Sequence, residues 1–275
     1  MSAKKAYISA DMEGVAGVVG REQLFPPGLE YQQFREHMTA EVCAAIDGIR
    51  DSGPCDIVVR DSHGNGLNLL VHALPEDVQL VRAWPRPLGM MQGIDGSFDA
   101  AFLIGYHASA TSVDGIAAHT ISSKAFSSIR INGDLAGEAT ISALIAGHFD
   151  VPVVMISGDD AAVEESRELV GPLEGAVVKW QYGHSSARTL LPDAARRLIR
   201  EKAQAGLARR KEIPPLKRGT ELTLDLCYKF AAPAELIAYL PNVARIDNYT
   251  VRFVGTIIEN SMFLEMASGY SSTAT

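Results

Sequence analysis

Two carboxylates follow the first apolar stretch of the chain, with one residue between them. Residues 6–10 are an apolar run that predicts a buried strand, and Asp11, Glu13 and Gly14 come directly after it. Because residues i and i+2 of an extended chain point to the same side, Asp11 and Glu13 can face one point beyond the strand. Two carboxylates held close together repel each other unless one takes up a proton or a cation lies between them. The pair therefore indicates a divalent metal site, or alternatively a cap on the turn or helix that follows.

Polar side chains also follow two other predicted strands. Asp61 and His63 come after the second apolar run, and His107 comes after the fourth. In an open parallel sheet the carboxyl ends of the strands share one edge, and ligands bind at that edge. Carboxylates and imidazoles without a thiolate suit a catalytic Zn²⁺ or a similar transition ion. Glu138, early in a later helical stretch, would add enough donors for two ions that share a carboxylate. Such a pair, roughly 3.5–4 Å apart, activates a bridging water and polarises a carbonyl.

Each of these residues has a plainer interpretation when it is taken alone. His63 and His107 can be ordinary polar residues at strand ends, and Glu138 can simply favour the dipole of its helix. Asp61 can orient His63 or another ligand rather than bind a metal itself. The coincidence of several strand ends favours the metal site.

The elements that must position these residues alternate between apolar strands and helices. Predicted strands cover residues 6–10, 56–60, 78–83, 100–104, 128–131 and 152–156. Predicted helices cover 31–50, 135–149 with Asp134 as N-cap, and 161–170 with Asp159 and Asp160 as its N-cap and first turn, which leaves these two residues outside the site. This alternation is typical of an α/β fold with a largely parallel or mixed sheet and flanking helices. Beyond about residue 177 the pattern loosens into a basic helix at 192–210 and a tail of strand, short helix, strand and closing helix. We predict an α/β catalytic portion at 1–180 and a C-terminal α+β portion at 181–275, either separate or continuous with the first as one domain.

Composition narrows the classes of partner. The 275 residues carry a formal net charge of −8 and are 47% hydrophobic, which suits one large or two small globular domains. The acidic balance argues against a nucleic acid or an anionic membrane as partner. Three scattered cysteines indicate neither a disulfide framework nor a thiolate zinc site. Without a signal-peptide pattern or an apolar run of membrane length, a cytoplasmic location is expected.

Five short motifs occur in a fixed order along the chain. They are Ser9-Ala10-Asp11-Met12-Glu13-Gly14, Asp61-Ser62-His63, Gly105-Tyr106-His107, the later His119, and the Gly137-Glu138 pair. In this order they resemble the D-aminopeptidase DppA family (peptidase family M55). The similarity runs from about residue 5 to past Asp160 and continues more loosely toward the C-terminus.

The resemblance implies a site for two zinc ions per subunit. The corresponding ligands in this sequence are Asp11, Glu13, His63, His107 and Glu138. The carboxylate matching Asp11 would bridge the two ions, and His119 matches a further histidine that would be a catalytic group. The resemblance also implies a homo-oligomer, a decameric ring of two stacked pentamers whose active sites face an inner cavity.

The predicted function is a dinuclear zinc aminopeptidase that removes the N-terminal residue, expected to be a D-amino acid, from short peptides or amino-acid amides. The alternatives are a dinuclear metal hydrolase acting on another small amide, a β-peptide or a phosphoester, and a non-catalytic peptide-binding protein. A phosphoesterase would call for cations around its substrate, and only Arg60 and Lys124 occur near the motifs. A peptide-binding protein of transport would normally be exported and has no need of water-activating metals. Both observations favour an aminopeptidase. We expect the loops at 14–28 and 109–128 to carry its substrate specificity.

Overall fold

The computed structural model describes residues 4–271, within which the chain forms twelve strands and seven α-helices. The strands are β1 (Lys4–Ala10), β2 (Cys55–Asp61), β3 (Gln79–Val81), β4 (Ala100–Tyr106), β5 (Phe126–Ile131), β6 (Asp134–Leu135), β7 (Val153–Asp159), β8 (Glu174–Gly183), β9 (Ser186–Thr189), β10 (Leu222–Tyr228), β11 (Val243–Arg245) and β12 (Thr250–Gly255). The helices are α1 (Arg21–Leu24), α2 (Tyr31–Arg50), α3 (Glu138–His148), α4 (Asp160–Leu169), α5 (Pro192–Arg209), α6 (Ala231–Ile237) and α7 (Ile257–Ser271), with short 3₁₀ helices at Val71–Ala73 and Gly89–Met91.

A seven-stranded sheet forms the centre of the fold. Its strand order is β3-β2-β1-β4-β7-β8-β9, and every neighbouring pair is parallel except β8 and β9. The prediction of a largely parallel or mixed sheet with flanking helices is therefore confirmed. Strands β2, β1 and β4 lie side by side, so their carboxyl ends meet at one edge of the sheet.

Helices and a second sheet cover the two faces of this sheet. Ile8 of β1 packs into the layer of α2 and α5, whereas its neighbour Tyr7 packs into the layer that contains Phe98 and α3. The rings of Tyr7 and Phe98 meet edge to face with the centroids 5.3 Å apart. Burying an apolar side chain of this size stabilises the fold by about 1.5–3 kcal/mol. The buried central strands therefore give the loops at their carboxyl ends a rigid base.

The second sheet is antiparallel and draws on two distant parts of the chain. Its strand order is β11-β12-β10-β5-β6, so β5 and β6, which precede residue 180, pair with strands that follow residue 220. An α+β portion is thus present, but its sheet is completed by strands from the first portion. We propose on this basis that residues 1–180 and 181–275 form one continuous domain, the second of the two alternatives left open by the sequence.

Two local predictions are wrong. Asp134 does not cap a helix that begins at residue 135, because the Asn132-Gly133 turn, with φ of 54° and 88°, returns the chain to β5 and places Asp134–Leu135 in a strand. Helix α3 begins only at Glu138, with Gly137 at its N-cap. The tail also contains one more strand than predicted, since the three-residue β11 adds to the edge of β12.

No helix within residues 4–271 combines the length and the apolar character needed to cross a membrane.

Candidate metal centre and active site

The ends of β1, β2 and β4 bring four of the predicted ligands together. Asp11 and Glu13 follow β1, His63 follows β2 and His107 follows β4, and each of the four is 3% exposed. The sheet register sets this arrangement, because Ala10 pairs with both flanking strands. The four side chains therefore meet at the edge where the sequence predicted a site.

The glycine of the Asp-Met-Glu-Gly run has a steric role. The backbone N–H of Gly14 donates to Gly105 O at 2.7 Å, and a Cβ on Gly14 would lie 1.9 Å from the carbonyl oxygen of Tyr106. Only glycine lets the chain pass this close to the end of β4. Gly14 thereby keeps Glu13 beside His107.

Glu138 and His119 complete the cluster from the other side. Glu138 is the first residue of α3 and is 4% exposed, so it both favours the helix dipole and faces the site. His119 lies in the loop between β4 and β5, and its ring stacks on that of His107 with the centroids 4.1 Å apart and the planes 8° apart. Its Nε2 is 3.9 Å from Glu13 Oε1 and 3.8 Å from Glu138 Oε1. All six predicted site residues thus lie in one cluster.

Each histidine of the cluster has one ring nitrogen bonded to a backbone carbonyl. His63 Nε2 donates to Leu24 O, and the Nδ1 atoms of His107 and His119 donate to the carbonyls of Ala108 and Ala117, all at 2.9 Å. In the neutral ring these bonds place the N–H on the nitrogen that faces the carbonyl, so the other nitrogen can offer its lone pair to a cation. That nitrogen faces the carboxylates in all three cases.

The free nitrogens lie within contact of several carboxylate oxygens. His63 Nδ1 is 2.8 Å from Glu13 Oε2 and 3.2 Å from Asp11 Oδ1. His107 Nε2 is 3.5 Å from Asp11 Oδ2 and 3.4 Å from Glu138 Oε1. Among the described residues, Asp11 Oδ2 and His107 Nε2 are buried without a hydrogen-bond partner. A buried donor or acceptor left in this way is costly, so the pair fits a position for a cation.

Two overlapping groups have the geometry of metal sites. Asp11, Glu13 and His107 offer ligand atoms within 4.8 Å of one another, and so do His107, His119 and Glu138. These oxygen and nitrogen donors suit Zn²⁺. The second group includes His119, so the geometry alone also allows His119 to be a ligand rather than a catalytic group.

Burial and mutual charge shift the pKa values of the cluster. Burial, and then the charge of Glu13, raise the pKa of Asp11 to about 7. Burial alone would also raise the pKa of Glu13, but the neighbouring His63 outweighs it and brings the value well below the usual range. The Glu13 charge in turn overcomes the effect of burial on His63 and holds the pKa of this imidazole well above its usual range. The acidic groups of the cluster thus depend on a nearby positive charge, which a divalent ion supplies.

Asp61 does not contact His63 and supports it through the backbone instead. Its carboxylate accepts the backbone N–H groups of Asn68 at 2.6 Å and Leu69 at 2.7 Å and the amide of Asn68 at 2.9 Å. The same Asn68 amide donates to His63 O at 2.7 Å. Asp61 therefore holds the turn that carries His63 through Asn68 and Leu69, which supports the interpretation of Asp61 as a residue that orients His63 rather than as a metal ligand.

Arg86, together with Glu265 of the C-terminal helix α7, also supports the turn of His63. Arg86 donates to Ser62 O at 2.8 Å and to Gly64 O at 3.1 Å. Its Nε lies 3.4 Å from Glu265 of α7, and Glu265 also accepts from the Trp84 indole at 3.1 Å. Glu265 thus holds Arg86 against the two carbonyls that flank His63.

Asp159 has two roles, of which the sequence indicated one. It caps α4 by accepting from Ala162 N at 2.7 Å, as predicted, and it also accepts from Ile116 N at 2.8 Å. At the other end of the same loop, Ile121 N donates to Glu138 Oε1 at 2.6 Å. Ile121 has a φ of 63°, which is unusual for a β-branched residue. The segment that carries His119 is therefore fixed at both ends.

Lys179 lies beneath the loop that carries Glu13 and is 0% exposed. Its ammonium donates to the carbonyls of Glu13, Val15 and Val18, the last at 2.7 Å. Burial lowers its pKa to about 8. From the same side, Glu41 accepts the backbone N–H of Ala16 at 2.9 Å. Neither residue was predicted, although a lysine inside the apolar run 175–180 is the signal that could have indicated one of them.

Replacing Lys179 with Met is expected to loosen this loop. Each of the three buried carbonyls would lose its hydrogen-bond donor at a cost of about 1–3 kcal/mol. Because the variant no longer buries an ammonium, part of this cost is offset. We therefore expect the free energy of unfolding to fall by about 2–4 kcal/mol. Urea unfolding and the zinc retained after dialysis measure the effect, with Lys217→Met at an exposed ion pair as the matched control. An unfolding midpoint and zinc content equal to those of the control would contradict the role given to Lys179.

Two cavities open onto the cluster. One of about 630 Å³ is lined by Asp11, His63 and Glu138. A second of about 600 Å³ includes Ala117 and His184, and Glu13 and His119 line both cavities. Volumes of this size suit small ligands. A third groove of about 640 Å³ lies between α2 and α5 and contains no residue of the cluster.

Comparison with known proteins decides the family. The profile of a family described as D-aminopeptidase matches residues 4–265. The chain belongs to this family. A D-aminopeptidase of Bacillus subtilis (strain 168) is 32% identical to it over 253 residues, which are 90% of each chain. A solved structure described as the Zn-dependent D-aminopeptidase DppA from Bacillus subtilis, a self-compartmentalizing protease, superposes with a TM-score of 0.94 at 29% identity and covers 98% of both chains. The fold of this D-aminopeptidase family member is thus that of the Bacillus protein over almost its whole length.

Proposed function

We propose that this chain is a zinc-dependent aminopeptidase that removes an N-terminal D-amino acid from short peptides or amino-acid amides. The convergence of Asp11, Glu13, His63 and His107 at the ends of adjacent parallel strands, with Glu138 and His119 completing the cluster, carries this proposal. The cluster faces a cavity large enough for a short peptide. Membership of the D-aminopeptidase family supports the same reaction class.

Two zinc ions per subunit are proposed, held by the five residues named from the resemblance. Asp11 lies between the two histidine positions, with one oxygen toward His63 and the other toward His107, which supports a bridging role. Glu13 lies beside His63, and Glu138 lies beside His107. When bound, a zinc pair activates a water molecule for attack and polarises the scissile carbonyl.

His119 is proposed as the catalytic group. Its Nδ1–H donates to Ala117 O, so its Nε2 lone pair faces the site and can accept a proton and pass it to the leaving amine. Burial, and then the proximity of His107, lower the pKa of His119, which favours the neutral form that can accept a proton at neutral pH. The stacked ring of His107 and the fixed loop keep this imidazole oriented.

Assembly into a homo-oligomer is also proposed, by analogy with the self-compartmentalizing Bacillus protein. The finer prediction is a decameric ring in the cytoplasm with its active sites toward an inner cavity. Exposed apolar side chains in β12 and in the segments that flank α6, β11 and β12 support an interface between copies: Phe230, Tyr239, Ile246, Tyr249 and Val254.

Cleavage of alanine p-nitroanilides tests the proposed function. We expect the purified, zinc-loaded protein to release p-nitroaniline from the D-alanine compound faster than from the L-alanine compound. A chelator should stop the reaction, and added zinc should restore it. Cleavage of the L compound alone would keep the metal mechanism and reject the D specificity. No cleavage of either compound by zinc-loaded protein would reject the aminopeptidase.

A further inference from the structure

The 630 Å³ cavity over the cluster has an uneven distribution of charge. Its floor carries the carboxylates of the proposed metal site, whereas its rim carries the cations Arg21 and Lys124. Both rim side chains are exposed, and within residues 4–271 neither has a carboxylate within 4 Å. In a chain with a net charge of −8, two cations without an ion-pair partner in the described part of the chain, both at the same cavity, indicate a position for an anionic group.

The other charged pair at this cavity is already engaged. Arg86 donates to two backbone carbonyls and lies 3.4 Å from Glu265, and both side chains are largely buried. Glu265 accepts from Trp84 as well. Arg86 and Glu265 therefore neutralise each other and support the turn of His63. Arg21 and Lys124 remain as the cations that are free to bind a ligand.

Arg21 is connected to the cluster through an aromatic ring. Phe25 lies against His63 with the ring centroids 5.2 Å apart, and the Arg21 guanidinium lies 5.6 Å from the centroid of the same Phe25 ring. This cation–π contact holds the guanidinium over the rim without consuming its hydrogen-bond donors. Arg21 thus presents unused donors at a short distance from the reacting centre.

Lys124 reaches the same cavity from a different loop. It follows Ser122 and Ser123, which line the cavity with it, in the loop that also carries His119. The loop is anchored by the bond from Lys229 Nζ to Ser123 O at 2.6 Å. The two rim cations therefore come from the two segments expected to carry specificity, with Arg21 in α1 within 14–28 and Lys124 in the loop within 109–128.

We propose that Arg21 and Lys124 bind the C-terminal carboxylate of the substrate, so that the enzyme prefers free dipeptides and tripeptides to amides or long chains. The inference rests on the proposed aminopeptidase function. A residue of extended peptide spans about 3.3–3.6 Å, so the terminal carboxylate of a di- or tripeptide lies one or two such steps beyond the scissile bond. Arg and Lys side chains are long enough to reach the terminal carboxylate at either distance. Their charge-assisted hydrogen bonds to a carboxylate are strong. Arg21 and Lys124 thereby select short peptides that carry a free C-terminal carboxylate.

Comparing D-alanylglycine with D-alanylglycinamide tests the proposal, since the two compounds differ only in the C-terminal group, a carboxylate in one and a neutral amide in the other. We expect the zinc-loaded enzyme to show a kcat/KM roughly tenfold higher for the acid, mostly through KM, and a smaller preference at high salt. Arg21→Gln and Lys124→Gln should each reduce the ratio of acid to amide, whereas Lys211→Gln, an equal loss of charge at an exposed site outside both cavities, should keep it.

Equal kcat/KM for the two compounds, or an unchanged ratio in both rim variants, would overturn the carboxylate receptor and leave the aminopeptidase standing. Cleavage of neither compound would overturn the carboxylate receptor, and the aminopeptidase would fall with it only if the same preparation also failed to cleave the D-alanine anilide. The anilide assay separates the two cases, because an anilide has no terminal carboxylate.

Discussion

Replacing Asp11 with Asn is expected to remove both zinc and activity. Asp11 is the carboxylate that faces both histidine positions, so an amide at this site cannot bridge two cations. Burial, and then the charge of Glu13, raise the pKa of Asp11 to about 7, so its ionised form needs a cation beside it. We expect kcat/KM for the D-alanine anilide to fall by about 10³-fold or more.

Metal analysis of the same preparation distinguishes loss of zinc from loss of folding. The zinc content should fall together with activity, while circular dichroism stays that of the wild type. Asp77→Asn, which removes an equal charge from an exposed ion pair with Arg50, is the matched control and should keep both zinc and activity. A fully metallated and active Asp11→Asn enzyme would remove Asp11 from the site.

Replacing His119 with Ala is expected to lower kcat and to leave the zinc content unchanged. Loss of a general acid–base group typically costs about 10²–10⁴-fold in rate. The remaining five residues keep their mutual contacts, because His119 meets the carboxylates only at 3.8–3.9 Å. Steady-state kinetics and metal analysis on one preparation give both quantities.

The His119 result also decides between the two roles that the geometry allows. His119 shares one candidate ligand group with His107 and Glu138, so zinc that is lost together with activity would make it a ligand. The exposed His72→Ala variant, on the 3₁₀ helix at Val71–Ala73, controls for general effects of removing an imidazole. The catalytic role predicts a large fall in kcat at constant zinc content.

The local sequence pattern predicted the elements that matter most for the site. The helix at 31–50 occurs with the predicted bounds, and the carboxyl ends of the first, second and fourth predicted strands do meet at one edge. This worked because each element has a strong local signal, a periodic apolar face or a buried apolar run followed by polar residues. The roles given to the metal ligands stay predictions that the variants above test.

The supporting contacts could not be predicted, because they join distant parts of the chain. Lys179 lies 166 residues from Glu13, and Trp84 lies 181 residues from Glu265. No local pattern indicates which carbonyl a buried lysine will meet. The misplaced start of α3 has a different cause, since the two-residue strand Asp134–Leu135 is too short to show a period.

The structure also bears on the phosphoester alternative. Arg60, one of the two cations near the motifs, is 0% exposed and donates to Ala83 O, and it does not line the cavity over the cluster. Arg21 and Lys124, which line this cavity without an ion-pair partner among the described residues, lie at its rim. A phosphoryl group at the metal site would need donors close to the floor, so amide hydrolysis is better supported.

Zinc titration of the chelator-stripped enzyme tests the dinuclear site most directly. Zinc is added in steps to protein of known concentration, and bound zinc and cleavage of the D-alanine anilide are measured at each step. We expect two equivalents to bind per chain and activity to return as the pair is completed. Full activity in protein that binds no zinc, or full activity with saturation at one equivalent, would contradict a catalytic zinc pair held by Asp11, Glu13, His63, His107 and Glu138.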